Sequence, residues 1–329
     1  MLRTKSRLIS IVVPVCNEEA NIRPLYTAVK AELNKLNEQY DYEFIFTDNQ
    51  STDSTFMRLS ALAKEDPRVR VIRFSKNFGH QKSLLTGCCF AKGDCAILIG
   101  CDLEDPPVLI HEFMRKWEEG TDVVYGVRKS SDESRIIQFS RQFFYRLINY
   151  LSEDNLPLDA SDFRLIDRKI LSYLRKLRDA NPYVRGTISK LGFRQVGIPY
   201  HRGKRLYGKS KFDLAKMMSL AIDGILNHSI VPLRLSTFIG LTISSMLIIY
   251  LSSLFFIKAF LRQQWPSGFA TTSVLILVGI SLNAIFLGVI GEYLGRIYLQ
   301  MKFEPTVVID EMINMDDLHV EEIPSVRSL

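Results

Sequence analysis

The amino-acid sequence predicts an α/β fold with a mostly parallel sheet, followed by interfacial helices and a two-helix transmembrane hairpin. Three observations lead there. Apolar, β-branched runs alternate with helix-period segments as far as Arg128, the pattern of a doubly wound sheet. Short polar clusters fall directly after those runs, where ligands bind in such sheets. Two uncharged stretches, Leu235 to Ile257 and Gln263 to Gly291, each exceed the about 18 apolar residues that mark a membrane-span candidate.

Leu8–Val15 is an unbroken apolar run and reads as the first strand. Glu19 to Leu36 has helical periodicity, with Pro24 tolerated in the first turn. Tyr42–Thr47 is a second strand and Ser54–Lys64 a second helix. Val69–Phe74, the helix Lys82–Ala91, the strand Cys95–Gly100, the helix Pro107–Glu119 and the strand Val123–Val127 continue the alternation. Beyond Arg128 the pattern loosens. Phe139–Leu151 reads as an amphipathic helix, Phe163–Ile166 as a short strand, and Phe212–Asn227 as a helix lying in the interface plane. The spans themselves fall at about 235–257 and 269–291, separated by a loop holding Lys258, Arg262 and the turn Trp265-Pro266-Ser267-Gly268. Thr306–Ile309 reads as a last strand before a loose acidic tail. The expected organisation is thus a body over 1–211, an interfacial region over 212–232, spans within 233–298 and a returning segment over 299–329.

The chain has 329 residues and a net charge of +6. The charge is uneven: from Arg185 to Lys216 there are nine Lys or Arg and a single acid, Asp213. A basic stretch just before a span suits anionic headgroups or substrate phosphates. No recognition motif accompanies it, so nucleic acid is not an expected partner. Five cysteines, Cys16, Cys88, Cys89, Cys95 and Cys101, lie mostly in apolar runs without metal-ligand spacing. Reduced thiols and a cytosolic body follow. A hairpin returns the chain to its starting side, placing both termini in the cytosol.

The acidic cluster Asp102-Leu103-Glu104-Asp105-Pro106-Pro107 follows the fourth strand. Hard carboxylate oxygens there suit Mg²⁺ or Mn²⁺, which would grip a diphosphate; alternatively, Asp102 and Asp105 cap the next helix. Asp48 could accept a nucleobase N–H or help cap the helix that follows. Asn17-Glu18 after the first strand is equally open to either reading. Arg128, Arg135, Arg141 and Arg146 could clamp an anionic reactant or be solvated helix charges, a reading that suits Arg135 and Arg146 better. The stretch from Arg202 to Lys211, with five cations and two glycines, could close over a diphosphate or form a headgroup collar. His80 sits in a polar loop and no histidine pair has zinc-ligand spacing.

Taken in order, these segments resemble glycosyltransferase family 2, the inverting enzymes of GT-A fold. Pro14-Val15-Cys16-Asn17-Glu18 resembles the family's opening motif and Asp48 to Asp53 its nucleotide motif. Ser75-Lys76-Asn77-Phe78-Gly79-His80-Gln81, Gly93-Asp94, the acidic turn, Asp162-Phe163-Arg164-Leu165 and Gly208-Lys209-Ser210-Lys211-Phe212 follow in family order. With two C-terminal spans, the chain resembles the polyisoprenyl-phosphate glycosyltransferases. Three positions depart from the pattern: Gly100 replaces the first carboxylate of the family's Asp-x-Asp, Glu104 stands where Gln is common, and Asn49-Gln50 replaces Asp-Gly.

The resemblance implies inverting transfer of a sugar, first the hexose glucose from UDP-glucose and alternatively mannose or a modified pentose, to a polyprenyl phosphate (undecaprenyl or dolichyl) at the cytosolic membrane face. It implies nucleotide contacts from Pro14, Cys16, Asn17, Glu18, Asp48, Lys76 and Gly79, and Mg²⁺ or Mn²⁺ on Asp102 with Glu104. Arg128 and Arg141 would hold the lipid phosphate, with Arg205, Lys209 and Lys211 near the diphosphate or membrane. Asp162 would orient a sugar hydroxyl or act as a base. The acceptor is a phosphate monoester, largely ionised at neutral pH because its second pKa is about 6, so no strong base is required. Implied partners are the nucleotide-sugar donor, the lipid, the membrane and further copies of the chain. Two other readings remain: a membrane-bound nucleotide-sugar binder without catalysis, and a lipid-transporting hairpin.

Overall fold

In the computed structural model, residues 7–36, 40–129, 160–177, 179, 182–203, 268–301, 305–315 and 326–328 are described, with scattered positions from 233 to 256. The expected helices at 139–151 and 212–227 lie outside the described residues. The chain divides into two units. One comprises Met1–Phe143, Asp154–Lys211 and Phe303–Leu329, the other Phe144–Glu153 and Phe212–Lys302.

The first unit is built on a sheet of nine strands: β1 (Arg7–Val15), β2 (Tyr40–Asp48), β3 (Val69–Phe74), β4 (Cys95–Leu98), β5 (Val123–Lys129), β6 (Ala160–Asp167), β7 (Gln195–His201), β8 (Val307–Ile313) and β9 (Val326–Ser328). Their order is β7-β5-β6-β4-β1-β2-β3-β8-β9. The pairs β1–β2, β1–β4, β2–β3, β5–β7 and β8–β9 are parallel. β6 runs antiparallel to both β4 and β5, and β8 antiparallel to β3. The interleaved β6 departs from a simple doubly wound order. It brings the start of an antiparallel strand to the edge where β1, β2 and β4 end.

Helices cover both faces, so the central strands are apolar along their length. Ile9, Ile11, Val13 and Val15 of β1 join one core with the buried sides of α1 (Ile22–Leu33), α2 (Thr55–Glu65) and α4 (Leu109–Glu118). Val12 joins the other, against α3 (His80–Phe90), α5 (Arg168–Arg175) and α6 (Val184–Lys190). The period of two along β1 assigns its side chains to the two cores. α3 packs close: a Cβ on Gly87 would sit 2.3 Å from Val12 Cγ1. On that face a buried pair, Arg70 Nη1 and Glu43 Oε2 at 2.6 Å, is completed by Ser10 Oγ at 2.6 Å and the Lys92 amide at 2.7 Å.

Boundaries shift where the loops have other tasks. α1 starts at Ile22 rather than Glu19, because Asn17 is left-handed (φ 55) and Glu18 and Glu19 bond Thr55 and Ser54 at the start of α2. α4 starts at Leu109, and neither Asp102 nor Asp105 caps it: Val108 is the cap, without a side-chain bond. Arg128 lies within β5, not after it. α5, α6, β7 and β9 were not expected from the sequence. β9 falls in the segment read as a loose tail, where it pairs with β8.

In the second unit, α7 (Phe269–Met301) spans 33 residues. Among the described residues it is the one helix long and apolar enough to cross a membrane, and none of its window Val278–Gly295 is buried. Described positions between 233 and 256 are also helical. A Cβ on Gly240 would come within 3.1 Å of the Phe286 ring.

Candidate active site

The polar groups collect at the carboxyl edge of the sheet, where β1, β2 and β4 end and β6 begins. The loop after β1 is locked to the loop after β2. Asn17 donates its amide to Ser51 Oγ at 2.9 Å and accepts from the Thr52 amide at 2.7 Å through its own Oδ1. The Glu18 amide donates to Thr55 Oγ1 at 2.8 Å, and Asn21 Nδ2 donates to Glu18 Oε2 at 2.6 Å. The bonds between the two loops hold Asn17 in a left-handed conformation (φ 55); Gln50 in the second loop is also left-handed (φ 54).

Asp48 is fully buried at the end of β2. Its Oδ1 accepts the Ser51 amide at 3.1 Å, while its Oδ2 has no hydrogen-bond partner and Arg73 Nε stands 3.7 Å away. Burial pushes its carboxyl up, with Ser51 and Arg73 opposing. A buried carboxylate oxygen without a hydrogen bond is costly, and a donor from a bound base would relieve it. Asn49 accepts from the Phe78 amide at 2.8 Å. It thereby seats the loop that carries Lys76 and Gly79, whose φ of 93 suits glycine. Asn77 Nδ2 approaches Cys16 Sγ at 3.5 Å, and Lys76 Nζ lies 5.1 Å from the Phe78 ring centre. Pro14 is buried within β1.

The acidic turn follows β4 and is sharpened by left-handed Leu103 (φ 54). Asp102 Oδ1 accepts from the Glu104 amide at 3.4 Å. Gly100 leaves space beside this carboxylate, since a Cβ there would lie 3.2 Å from Asp102 Oδ1. Glu104 pairs with Arg202, and its carbonyl accepts from the Gly203 amide at 2.8 Å. The stretch that opens the basic loop is therefore already folded onto the acidic turn. Among the described residues no group of three or more His, Cys, Asp or Glu forms a ready-made metal cage.

Asp105 is buried, accepts from the Tyr200 hydroxyl, and lies 3.6 Å from Arg128 Nη2. Burial raises its carboxyl; Arg128 and Tyr200 oppose this, and Asp102 and Asp162 add to it. Those influences bring Asp102, Asp105, Asp162 and Arg128 into one electrostatic neighbourhood. Asp162 comes from the start of antiparallel β6. Burial would raise its carboxyl, but His80 Nε2 at 3.4 Å and the charges of Arg164 and Arg185 hold it well below the usual range. It is therefore ionised at neutral pH and suited to orienting a hydroxyl.

Of the expected site residues, Pro14, Cys16, Asn17, Glu18, Asp48, Lys76, Gly79, Asp102, Glu104, Arg128 and Asp162 lie on the loops or strand ends of this edge. Arg141, Arg205, Lys209 and Lys211 lie outside the described residues. The part played by His80 beside Asp162, and by Tyr200 beside Arg128, had no local signal. Each pairs with a residue far away in the chain, and Tyr200 sits on a strand the sequence does not announce.

Residues 10–175 match the glycosyl transferase family 2 model. Over most of their length, curated proteins align as well. A Bacillus subtilis protein named as the glycosyltransferase YkcC is 37% identical over 94% of this chain and 95% of that protein. The bactoprenol glucosyl transferase of Shigella phage SfV is 35% identical over 92% of this chain and 97% of its own. Among solved structures, glucosyl-3-phosphoglycerate synthase from Mycobacterium tuberculosis with Mn²⁺ and UDP aligns at TM-score 0.49 and 21% identity, covering 67% of this chain and 76% of that one. The fold is that of an α/β enzyme, with its polar clusters at the strand ends. The chain belongs to glycosyl transferase family 2 and is a glycosyltransferase.

Proposed function

We propose that this glycosyltransferase moves a hexose, glucose from UDP-glucose, onto a polyprenyl phosphate at the cytosolic face of a membrane. The observation that carries the reading is that the ends of β2, β4 and β5 and the start of antiparallel β6 bring Asp48, Asp102, Arg128 and Asp162 to one sheet edge, with Asp105 3.6 Å from Arg128, in a chain that also carries an exposed apolar helix. The bactoprenol relatives agree with a lipid acceptor.

In this reading Asp48 takes the nucleobase through Oδ2, the oxygen that lacks a hydrogen bond. The residues fit a divalent ion of the Mg²⁺ or Mn²⁺ kind: such ions take one or two carboxylates and complete their shell with substrate phosphates, and Gly100 keeps the side of Asp102 open. Asp102 with Glu104 would hold it, and it would supply positive charge to the departing diphosphate. Arg128 receives the acceptor phosphate, and Asp162 orients a hydroxyl of the sugar. Aligning two anions while suppressing their repulsion is the main catalytic task. Attack opposite the leaving group inverts the anomeric carbon.

The connectivity supports a hairpin anchor. β8 follows α7 yet pairs with β3 in the body sheet, so the chain must end on the side where it began. If α7 crosses the bilayer, a second crossing must precede it, and 235–257 is the apolar candidate. The apposition of Gly240 and Phe286 suits two packed helices. Similar hairpins from several copies could assemble.

Purified full-length protein, given UDP-glucose, undecaprenyl phosphate and Mg²⁺ or Mn²⁺, is expected to form a glycolipid. No product from a panel of nucleotide sugars would overturn the reading. The Arg202–Glu104 pair and the glycine at position 100 favour one competitor, a nucleotide-sugar binder without turnover. Calorimetry showing UDP-glucose binding alongside that empty panel would select it.

A further inference from the structure

We propose that Tyr200 is a positioning residue for Arg128, keeping its guanidinium presented to an anionic phosphate instead of collapsed onto Asp105. The proposal rests on the assignment of Arg128 to the acceptor phosphate. Arg128 and Tyr200 are register partners on the parallel strands β5 and β7. The Tyr200 hydroxyl donates to Asp105 Oδ1 and accepts from Arg128 Nε at 3.2 Å. Arg128 Nη2 stays 3.6 Å from Asp105, beyond hydrogen-bond distance. The tyrosine oxygen thus occupies the space between two groups that would otherwise form a bidentate fork.

The ring has a built seat. β5 carries a register irregularity between Tyr125 and Val127, at Gly126. A Cβ on Gly126 would come within 2.6 Å of Tyr200 Cε1. Phe163 meets the ring edge-on with centroids 6.3 Å apart. Burial and the Asp105 charge push the hydroxyl up to about 12, so it remains a donor to Asp105 through the working pH range. With its proton directed at Asp105, the oxygen accepts from Arg128 and also meets Ser161. Tyr200→Phe keeps the ring packing and removes the spacer, together with the hydroxyl's contact with Ser161. Nε and Nη2 of Arg128 are then free to close on Asp105, withdrawing the guanidinium from the site.

The test is calorimetric titration of the full-length protein with farnesyl phosphate and, separately, with UDP. Y200F is expected to raise the farnesyl phosphate Kd about tenfold, the order of one charge-assisted hydrogen bond, and to leave the UDP Kd within about twofold. R128A should weaken farnesyl phosphate binding at least as much, and Y200F/R128A should be no weaker than R128A. Gly126→Ala, which displaces the ring by a separate route, should reproduce the Y200F pattern. An unchanged farnesyl phosphate Kd in Y200F beside a weakened R128A would overturn this inference alone. So would additive losses in the double variant, or equal losses for both ligands in Y200F. An unchanged Kd in R128A would remove the assignment of Arg128 and this proposal with it.

Discussion

Single residues here show how a polar group survives burial. Arg70 and Glu43 are both buried and lie on neighbouring strands. Removing the arginine leaves a buried carboxylate with only Ser10 and the Lys92 amide. Arg70→Ala is expected to cost about 3–5 kcal/mol in urea unfolding; a loss below about 1 kcal/mol would mean water reaches Glu43. Asp66 shows the pH side of the same physics. The Arg68 guanidinium, opposed by burial and aided by Tyr26 and Lys30, holds its carboxyl well below the usual range. The folded value lies below the unfolded one, about 3.9. Its stabilisation is therefore present above about pH 4 and lost as pH falls toward the folded value. Asp66→Asn should lower Tm at pH 7, and the gap from the parent should close below about pH 4; a gap constant with pH would refute the linkage. At the site, Asp102→Asn should reduce turnover by about a hundredfold or more, and Mn²⁺ titration with UDP, followed by electron paramagnetic resonance, should show weakened uptake of the ion.

At the scale of elements, the alternation along β1 to β5 was legible because each strand or helix in that region carries its own period. The elements after residue 160 were not. α5 and α6 are only eight and seven residues long, too short for a period to stand out, and β7 alternates buried and exposed positions only in part. α3 illustrates a constraint invisible in composition. Its hydrophobic and small residues are buried from Ser83 to Phe90, and Gly87 lets the helix approach β1. A Gly87→Val change should cost about 1–3 kcal/mol through overpacking and would be read from the shift of the urea midpoint. Because α3 also carries His80 toward Asp162, the same change should impair turnover more than its effect on stability accounts for. A loss of activity no larger than the loss of folded protein would argue against that coupling.

For the whole molecule, the decisive fact is that β8 rejoins the sheet after α7. α7 is about 50 Å long at 1.5 Å per residue, ample for a hydrocarbon core of about 30 Å. Under the proposed cytosolic placement of the body, the loop between the proposed spans faces away from the cytosol. A Ser267→Cys variant in intact cells should react with a membrane-impermeant thiol reagent. Four of the native cysteines are buried and Cys16 is half-buried, which keeps the background low. Labelling only after the cells are opened would refute the hairpin.

Local chemistry settled the strand–helix alternation, the placement of polar clusters at strand ends, the apolar runs and the family motifs, because each depends on residues close together in the chain. The meeting of Asp162 with His80, of Arg128 with Tyr200 and Asp105, and of Glu104 with Arg202 came from the sheet order. An antiparallel β6 inserted between β4 and β5 carries no mark in its own residues. Its place follows from which edges and faces remain to be buried once the other strands have paired, a property of the assembled chain rather than of any segment.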